Sequence, residues 1–282
     1  MTLDPEDPRP PYQQVANSLR ASILTRKFSP GEKLPSQQQL ATHYGVARMT
    51  IQQALRLLRE DGLILSRSGS GVFVRERTER PVGLRPHVEA AFEQPDVRID
   101  FSGYTAETLH GVLQEPLDKI RIGRLRPEAV QIRLLLSDMT QPIALPSRAG
   151  DKPGDDQAVR DRMAKIAERH SDAIAESVNE LAELGLVDKA SAEVRVHGSA
   201  PLFKVYLINE QDLFFGYYPV VEHTVTIDKK RVPIFDPMGK DAVLFHHTAD
   251  GDPDSTATQY ITETAKWFNS VWNTVARPAS SR

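Results

Sequence analysis

The sequence predicts a two-part protein of mixed α+β and α/β class. A small basic helical module closed by a β-hairpin comes first, and a larger α/β sandwich with a mixed sheet follows. Three observations predict it. The 282 residues suit about two domains. Charge is divided: Tyr12 to Arg75 holds nine Lys/Arg and three Asp/Glu, a net of +6, while the whole chain is −3, leaving −9 for the rest. Helical periodicity gives way to short strands by residue 75, after which helices alternate with strands and then several strands run together. The assigned parts are residues 1–77, a linker over 78–95, and residues 96–282.

Within the first part, Val15, Leu19, Ile23 and Leu24 give a helical period over Pro11 to Thr25. Pro30-Gly31 turns the chain. Ser36 can N-cap a short helix from Gln37 to Tyr44, with Gln39 completing a capping box, and Gly45 ends it. A third helix, Ala47 to Asp61, places Ile51, Ala54, Leu55 and Leu58 on one face and leaves Arg48, Thr50, Gln52, Gln53 and Arg56 to others. Two short helices about a tight turn, the second opening with Arg, Thr and Gln, are a helix-turn-helix pattern. Leu63-Ile64-Leu65 and Val72-Phe73-Val74 then read as a hairpin around a basic, glycine-rich tip, Ser66 to Gly71.

The run YQQVANSLRASIL, SPGEKLPSQQQLATHYGVARMTIQQALRLL, DGLI and GSGVFV resembles the winged helix-turn-helix of GntR-family bacterial transcription regulators over residues 12–75. The resemblance implies a homodimer on a double-stranded operator with two-fold symmetry, and repression as the usual outcome. Arg48 and Thr50 can reach base edges or phosphates in the major groove, and the amides of Gln52 and Gln53 can pair with the edge of adenine. Arg67, with Ser68, Gly69 and Ser70, suits a wing tip that approaches phosphates or the minor groove. Tyr12 and Ser36 can donate to phosphate. Ala47, Gln52 and Gln38 depart from the family pattern, so operator sequence does not transfer from relatives.

Beyond a charged, proline-rich hinge, strands are expected at Val97 to Phe101, Ala129 to Leu136, Ala192 to His197, Leu202 to Asn209, Leu213 to Val220 and Arg231 to Phe235. Helices are expected at Thr105 to Ile122, Asp156 to Leu184 and Thr256 to Val275, the last bearing an aromatic stripe of core or dimer-interface character. This order is similar to one half of the phospholipase D superfamily. Its enzymes carry a His-x-Lys-x4-Asp signature on the strand equivalent to Leu202 to Asn209; here those positions read Leu202, Lys204 and Asn209. Leucine has no lone pair to attack phosphorus, so a site of that descent is expected to be silent. Sugar-responsive archaeal TrmB regulators resemble such an arrangement.

An inactive site can still bind a small effector such as a phosphorylated metabolite, nucleotide or sugar. Lys204 supplies a cation, Asn209 both donates and accepts, and Tyr217 and Tyr218 can stack on a ring. Ser102, Gly103, Tyr104 and Thr105 form a strand-to-helix turn in which Thr105 can N-cap the helix and exposed amides favour an anion. His197 is the nucleophile that a DNA-tethered phosphodiesterase would need, and a protein-docking domain without ligand is the third reading.

His246, His247, His223, Asp250 and Asp252 invite a metal, but adjacent histidines in a strand point to opposite faces, so neither metal nor cofactor is expected. Absence of cysteine excludes disulfides, thiol catalysis and Cys-ligated metals. The strongest apolar run, Leu213 to Val221, is too short for a membrane span, and the acidic, proline-rich start shows no secretory signal. A soluble, cytoplasmic, non-enzymatic regulator is expected.

Overall fold

A computed structural model describes residues 9–25, 27–29, 31–60, 63–67, 71–75, 83–150, 152–239 and 242–279. The chain divides into two compact units, Met1–Ala90 and Ala91–Arg282.

In the first unit, α1 (Pro11–Leu24), α2 (Gln37–Tyr44) and α3 (Arg48–Glu60) precede the antiparallel hairpin β1 (Ile64–Arg67) and β2 (Gly71–Val74). The capping box forms: Ser36 Oγ accepts from the Gln39 amide at 3.3 Å, and Gln39 Oε1 accepts from the Ser36 amide at 2.8 Å. Gly45 ends α2 at φ 66°, a left-handed conformation that a side chain would disfavour. Val15, Leu19, Leu40, Ile51, Leu55, Leu58 and Ile64 make one shared core. A further helix, α4 (Leu84–Ala91), occupies part of the stretch expected as linker; Leu84, Val88 and Ala91 recur at helical spacing, but over too few turns to stand out from the surrounding charge and proline.

The second unit is built on a seven-stranded mixed sheet. Its strands are β3 (Asp96–Gly103), β4 (Ala129–Ser137), β6 (Lys189–His197), β7 (Phe203–Ile208), β8 (Asp212–Tyr217), β11 (Phe245–Thr248) and β12 (Arg277–Pro278), in the order β11-β8-β7-β3-β4-β6-β12. The β3–β4 and β4–β6 pairs are parallel, and every other pair is antiparallel. Parallel neighbours require crossovers, supplied by α5 (Glu107–Arg121) and α6 (Gln157–Glu183), which pack against each other. Leu135, Val205, Leu207 and Leu213 instead pack against Ile261, Phe268 and Trp272 of α7 (Thr256–Thr274) on the opposite face. Beneath α7, the Asp100 carboxylate takes two bonds from Arg133 at 2.6 and 2.5 Å, and that guanidinium lies over the Phe268 and Trp272 rings.

A second, three-stranded sheet joins β5 (Ser147–Arg148), β10 (Lys230–Pro237) and β9 (Val220–Ile227). The expected strand Leu213 to Val220 is two strands, because Pro219 has no amide to continue the ladder. The β9–β10 hairpin was also not legible: it turns at Asp228-Lys229, both at positive φ, without the Asn-Gly or Asp-Gly signal of such a turn. Among the described residues, no helix is long and apolar enough to cross a membrane.

Replacing Ser36 by alanine removes one half of the capping box. The expected cost is about 1 kcal/mol, read as a melting-point drop of several degrees for the first unit; an unchanged midpoint would remove the cap from the account of how α2 is set.

Candidate nucleic-acid interface and a polar cluster in the larger unit

The first unit arranges its candidate residues by burying the opposite side of α3. Ile51, Ala54, Leu55 and Leu58 are fully enclosed, which turns Arg48, Gln52 and Gln53 to solvent and leaves Thr50 half-buried. Arg48 Nε donates to Gln37 Oε1 of α2 at 3.3 Å, so the two helices are tied at the start of α3. The Tyr12 hydroxyl accepts from Gln13, and the Ser36 hydroxyl is engaged in its cap. Arg67 pairs through its backbone with Gly71; its side chain and Ser68, Gly69 and Ser70 lie outside the described residues. Met49, 65% exposed beside Arg48, also belongs to this face. Its apolar type hid it from a search for hydrogen-bonding groups.

In the larger unit the expected ligand residues separate. Gly103, Tyr104, Lys204 and Tyr218 come together. The Tyr104 amide donates to the Tyr218 hydroxyl at 3.2 Å, and Lys204 Nζ donates to the Gly239 carbonyl at 2.8 Å while lying 5.6 Å from the centre of the Tyr218 ring. A Cβ on Gly103 would meet Phe101 Cζ at 2.6 Å and Tyr218 Oη at 2.8 Å, so the glycine admits neighbouring rings, where the sequence suggested room for a ligand. Ser102 is buried within β3. Thr105 does not cap α5: Ala106 holds the N-cap position at φ 55° with no side-chain bond. Asn209 sits past the far end of β7, at φ 52°, where its Oδ1 accepts from the Arg98 amide; it closes a turn and does not join Lys204. Tyr217 is 63% exposed and packs edge-on to Phe215, apart from Tyr218. Leu202 lies before β7 and is half exposed.

Two further residues complete this cluster: Asp236, which sequence reasoning missed, and His223, which it weighed only as a metal ligand. The buried Asp236 carboxylate accepts from the Tyr104 hydroxyl at 3.1 Å and faces His223 Nε2 at 3.1 Å. Both come from the β9–β10 hairpin, whose second sheet had no local signal. Burial, with Asp236 beside it, raises the Tyr104 phenol far above its ordinary value, and burial raises that of Tyr218. Both therefore stay neutral. Burial lowers the Lys204 amine, which is only 4% exposed. The cluster offers neutral phenols, a weakened ammonium and a carboxylate-oriented imidazole 35% exposed, a set suited to hydroxyl or anionic groups.

His110 of α5 and His170 of α6 meet Nδ1 to Nδ1 at 3.2 Å, whereas the histidines weighed for a metal do not join one another. His246 and His247 point to opposite faces of β11, as expected: His246 bonds Asp212 at 2.7 Å, whereas His247 stacks on Tyr260. Asp250 accepts from Ser255 and from the Asp252 amide. At His197, burial lowers the imidazole and Asp138 partly offsets it, while Nδ1 accepts from the Ser199 amide.

Gly103→Ala is expected to destabilise the larger unit by about 1–3 kcal/mol through that overpacking, measurable by urea unfolding; no loss would mean the rings shift freely. Since folding depresses the Lys204 amine below 10.5, the unfolded state holds more protons between the folded and unfolded values. Stability from this group therefore rises with pH across that window. Lys204→Met is expected to flatten the rise just below pH 10.5, and parallel curves for the two proteins would refute it.

The description "Bacterial regulatory proteins, gntR family" matches residues 11–74. The mannosyl-D-glycerate transport/metabolism system repressor MngR of Escherichia coli is 41% identical over 68 residues, covering 24% of this chain and 28% of that protein. The repressor NagR of Bacillus subtilis is 35% identical over 74 residues, covering 26% and 30%. The chain thus spans under a third of either relative. Among solved structures, a GntR family transcriptional regulator from Listeria monocytogenes is 33% identical, covering 26% of this chain and 63% of that one, with a TM-score of 0.25. The AraR DNA-binding domain in complex with operator ORX1 is 32% identical, covering 26% and 94%, also at 0.25. Residues 11–74 are therefore a helix-turn-helix DNA-binding domain of the gntR family of bacterial regulatory proteins.

Proposed function

We propose that the chain is a transcription repressor that binds a two-fold operator as a homodimer and releases it when a small molecule occupies the larger unit. The observation that carries the reading is the outward face of α3, where Arg48, Gln52 and Gln53 stand exposed above a fully buried inner face. A helix entering the major groove reads bases with such side chains at its start, and two copies on a dimer read two half-sites one helical turn apart. The named repressors among the relatives support repression over activation, and regulation over catalysis.

The effector would be held around Tyr104, Lys204 and Tyr218, with Asp236 and His223 completing the set. The strand order of the unit is compatible with a silent phospholipase-D-like half, in which Leu202 stands where a nucleophile would be. A bound metabolite, nucleotide or sugar would act by favouring a spacing of the two DNA-binding heads that the operator does not fit.

The test uses double-stranded DNA selected by the full-length protein from a random pool. A two-fold consensus is expected. Arg48→Ala should weaken binding to it by 10- to 100-fold, as loss of a base contact worth about 1–3 kcal/mol requires, with the circular dichroism spectrum unchanged. Unaltered affinity would overturn α3 as the reading helix.

A further inference from the structure

The two crossover helices each carry a histidine at the place where they pack together. His110 on α5 and His170 on α6 are 60 residues apart in the chain, yet their imidazoles meet with Nδ1 3.2 Å from Nδ1 and ring centres 5.2 Å apart. Leu109 and Leu113 beside the first ring, and Ala167, Ser171 and Ile174 beside the second, are buried, which fixes the backbone under both. Further along the same helices, Arg121 Nη2 donates to Glu180 Oε2 at 3.2 Å, so α5 and α6 keep one register for about three turns. Both imidazoles are half-buried, so solvent reaches the pair while the helices hold it.

Two neutral imidazoles can share only one hydrogen, so one Nδ1 donates and the other presents a lone pair. Burial and the facing His170 ring lower the His110 imidazole, which favours the neutral form that a metal ion requires of its ligand. Two nitrogens bound to one zinc ion at about 2.0–2.1 Å in tetrahedral geometry stand about 3.3 Å apart. The observed separation therefore admits an ion with almost no movement of either helix. A small rotation of each ring turns the two Nδ1 atoms toward a common point, and the ring that carried Nδ1–H takes its hydrogen on Nε2 instead. Among the described residues, no third His, Asp or Glu has a ligand atom within 4.8 Å of both nitrogens, so water fills the remaining positions. Imidazole nitrogen suits zinc, nickel and copper, whereas calcium and magnesium demand oxygen.

We infer that His110 and His170 form a two-point clamp for a divalent transition-metal ion of the zinc, nickel and copper class, with water completing its coordination. The ion staples α5 to α6, the helices that connect the three parallel strands. This inference is independent of DNA recognition by the first unit and of the cluster around Tyr104.

The experiment titrates zinc chloride into the full-length protein by isothermal calorimetry, in a buffer that does not bind zinc. A one-to-one site of micromolar affinity is expected, and magnesium or calcium chloride should not compete for it. His110→Ala and His170→Ala should each weaken the site at least tenfold, whereas His247→Ala, whose ring stacks on Tyr260, should leave it unchanged. Bound zinc should raise the melting point of the wild type by mass action and not that of either clamp variant. X-ray absorption by the one-to-one zinc complex, which needs no variant, should show two imidazoles with oxygen in the other positions. Circular dichroism checks that each variant is folded. Absence of a saturable site, unchanged affinity in either clamp variant, or a zinc shell with any other number of imidazoles would overturn the inference and leave the pair as an interhelical hydrogen bond only.

Discussion

The parallel pairing of β3, β4 and β6 is the constraint on which the larger unit depends. Parallel strands cannot be joined by tight turns, so the chain must leave the sheet twice, and right-handed crossovers in one direction put α5 and α6 on the same face. That commits the other face to α7 and leaves the Asp100–Arg133 pair to be sealed beneath Phe268 and Trp272. It also gathers the carboxyl ends of the three strands, Gly103, Ser137 and His197, at one end of the sheet. The Tyr104 cluster forms at that end because a ligand-sized set of polar groups can collect only where side chains outrun the ladder.

The first unit works by a simpler division. A 13-residue helix with four enclosed apolar positions has one orientation that satisfies its core, and that orientation exposes the start of α3. Capping by Ser36 and Gln39, both exposed, and the left-handed Gly45 then set the angle between α2 and α3. Recognition and folding chemistry share Ser36 and the Arg48–Gln37 bond and otherwise stand on different residues.

In the larger unit the two are mixed. Lys204 donates to the Gly239 carbonyl, the Tyr104 amide to the Tyr218 hydroxyl and the Tyr104 hydroxyl to Asp236, so any ligand there must exchange bonds already made.

The sequence by itself determined whatever depends on residues near one another along the chain. The three helices and hairpin of the first unit, the cap at Ser36, and the strand–helix–strand order through β6 were legible because helical and strand periodicity and capping are local properties. The sites of the larger unit were decided only by tertiary structure. Lys204 and Asn209 share a strand motif in the sequence, yet a strand rises by about 3.3 Å per residue, which carries them to opposite ends of β7. Tyr217 and Tyr218 are adjacent, yet alternation sends them to different faces. Asp236 and His223 reach Tyr104 across more than a hundred residues through a hairpin whose turn lacks any glycine. Pairing between distant strands places those groups, and no local pattern encodes that pairing.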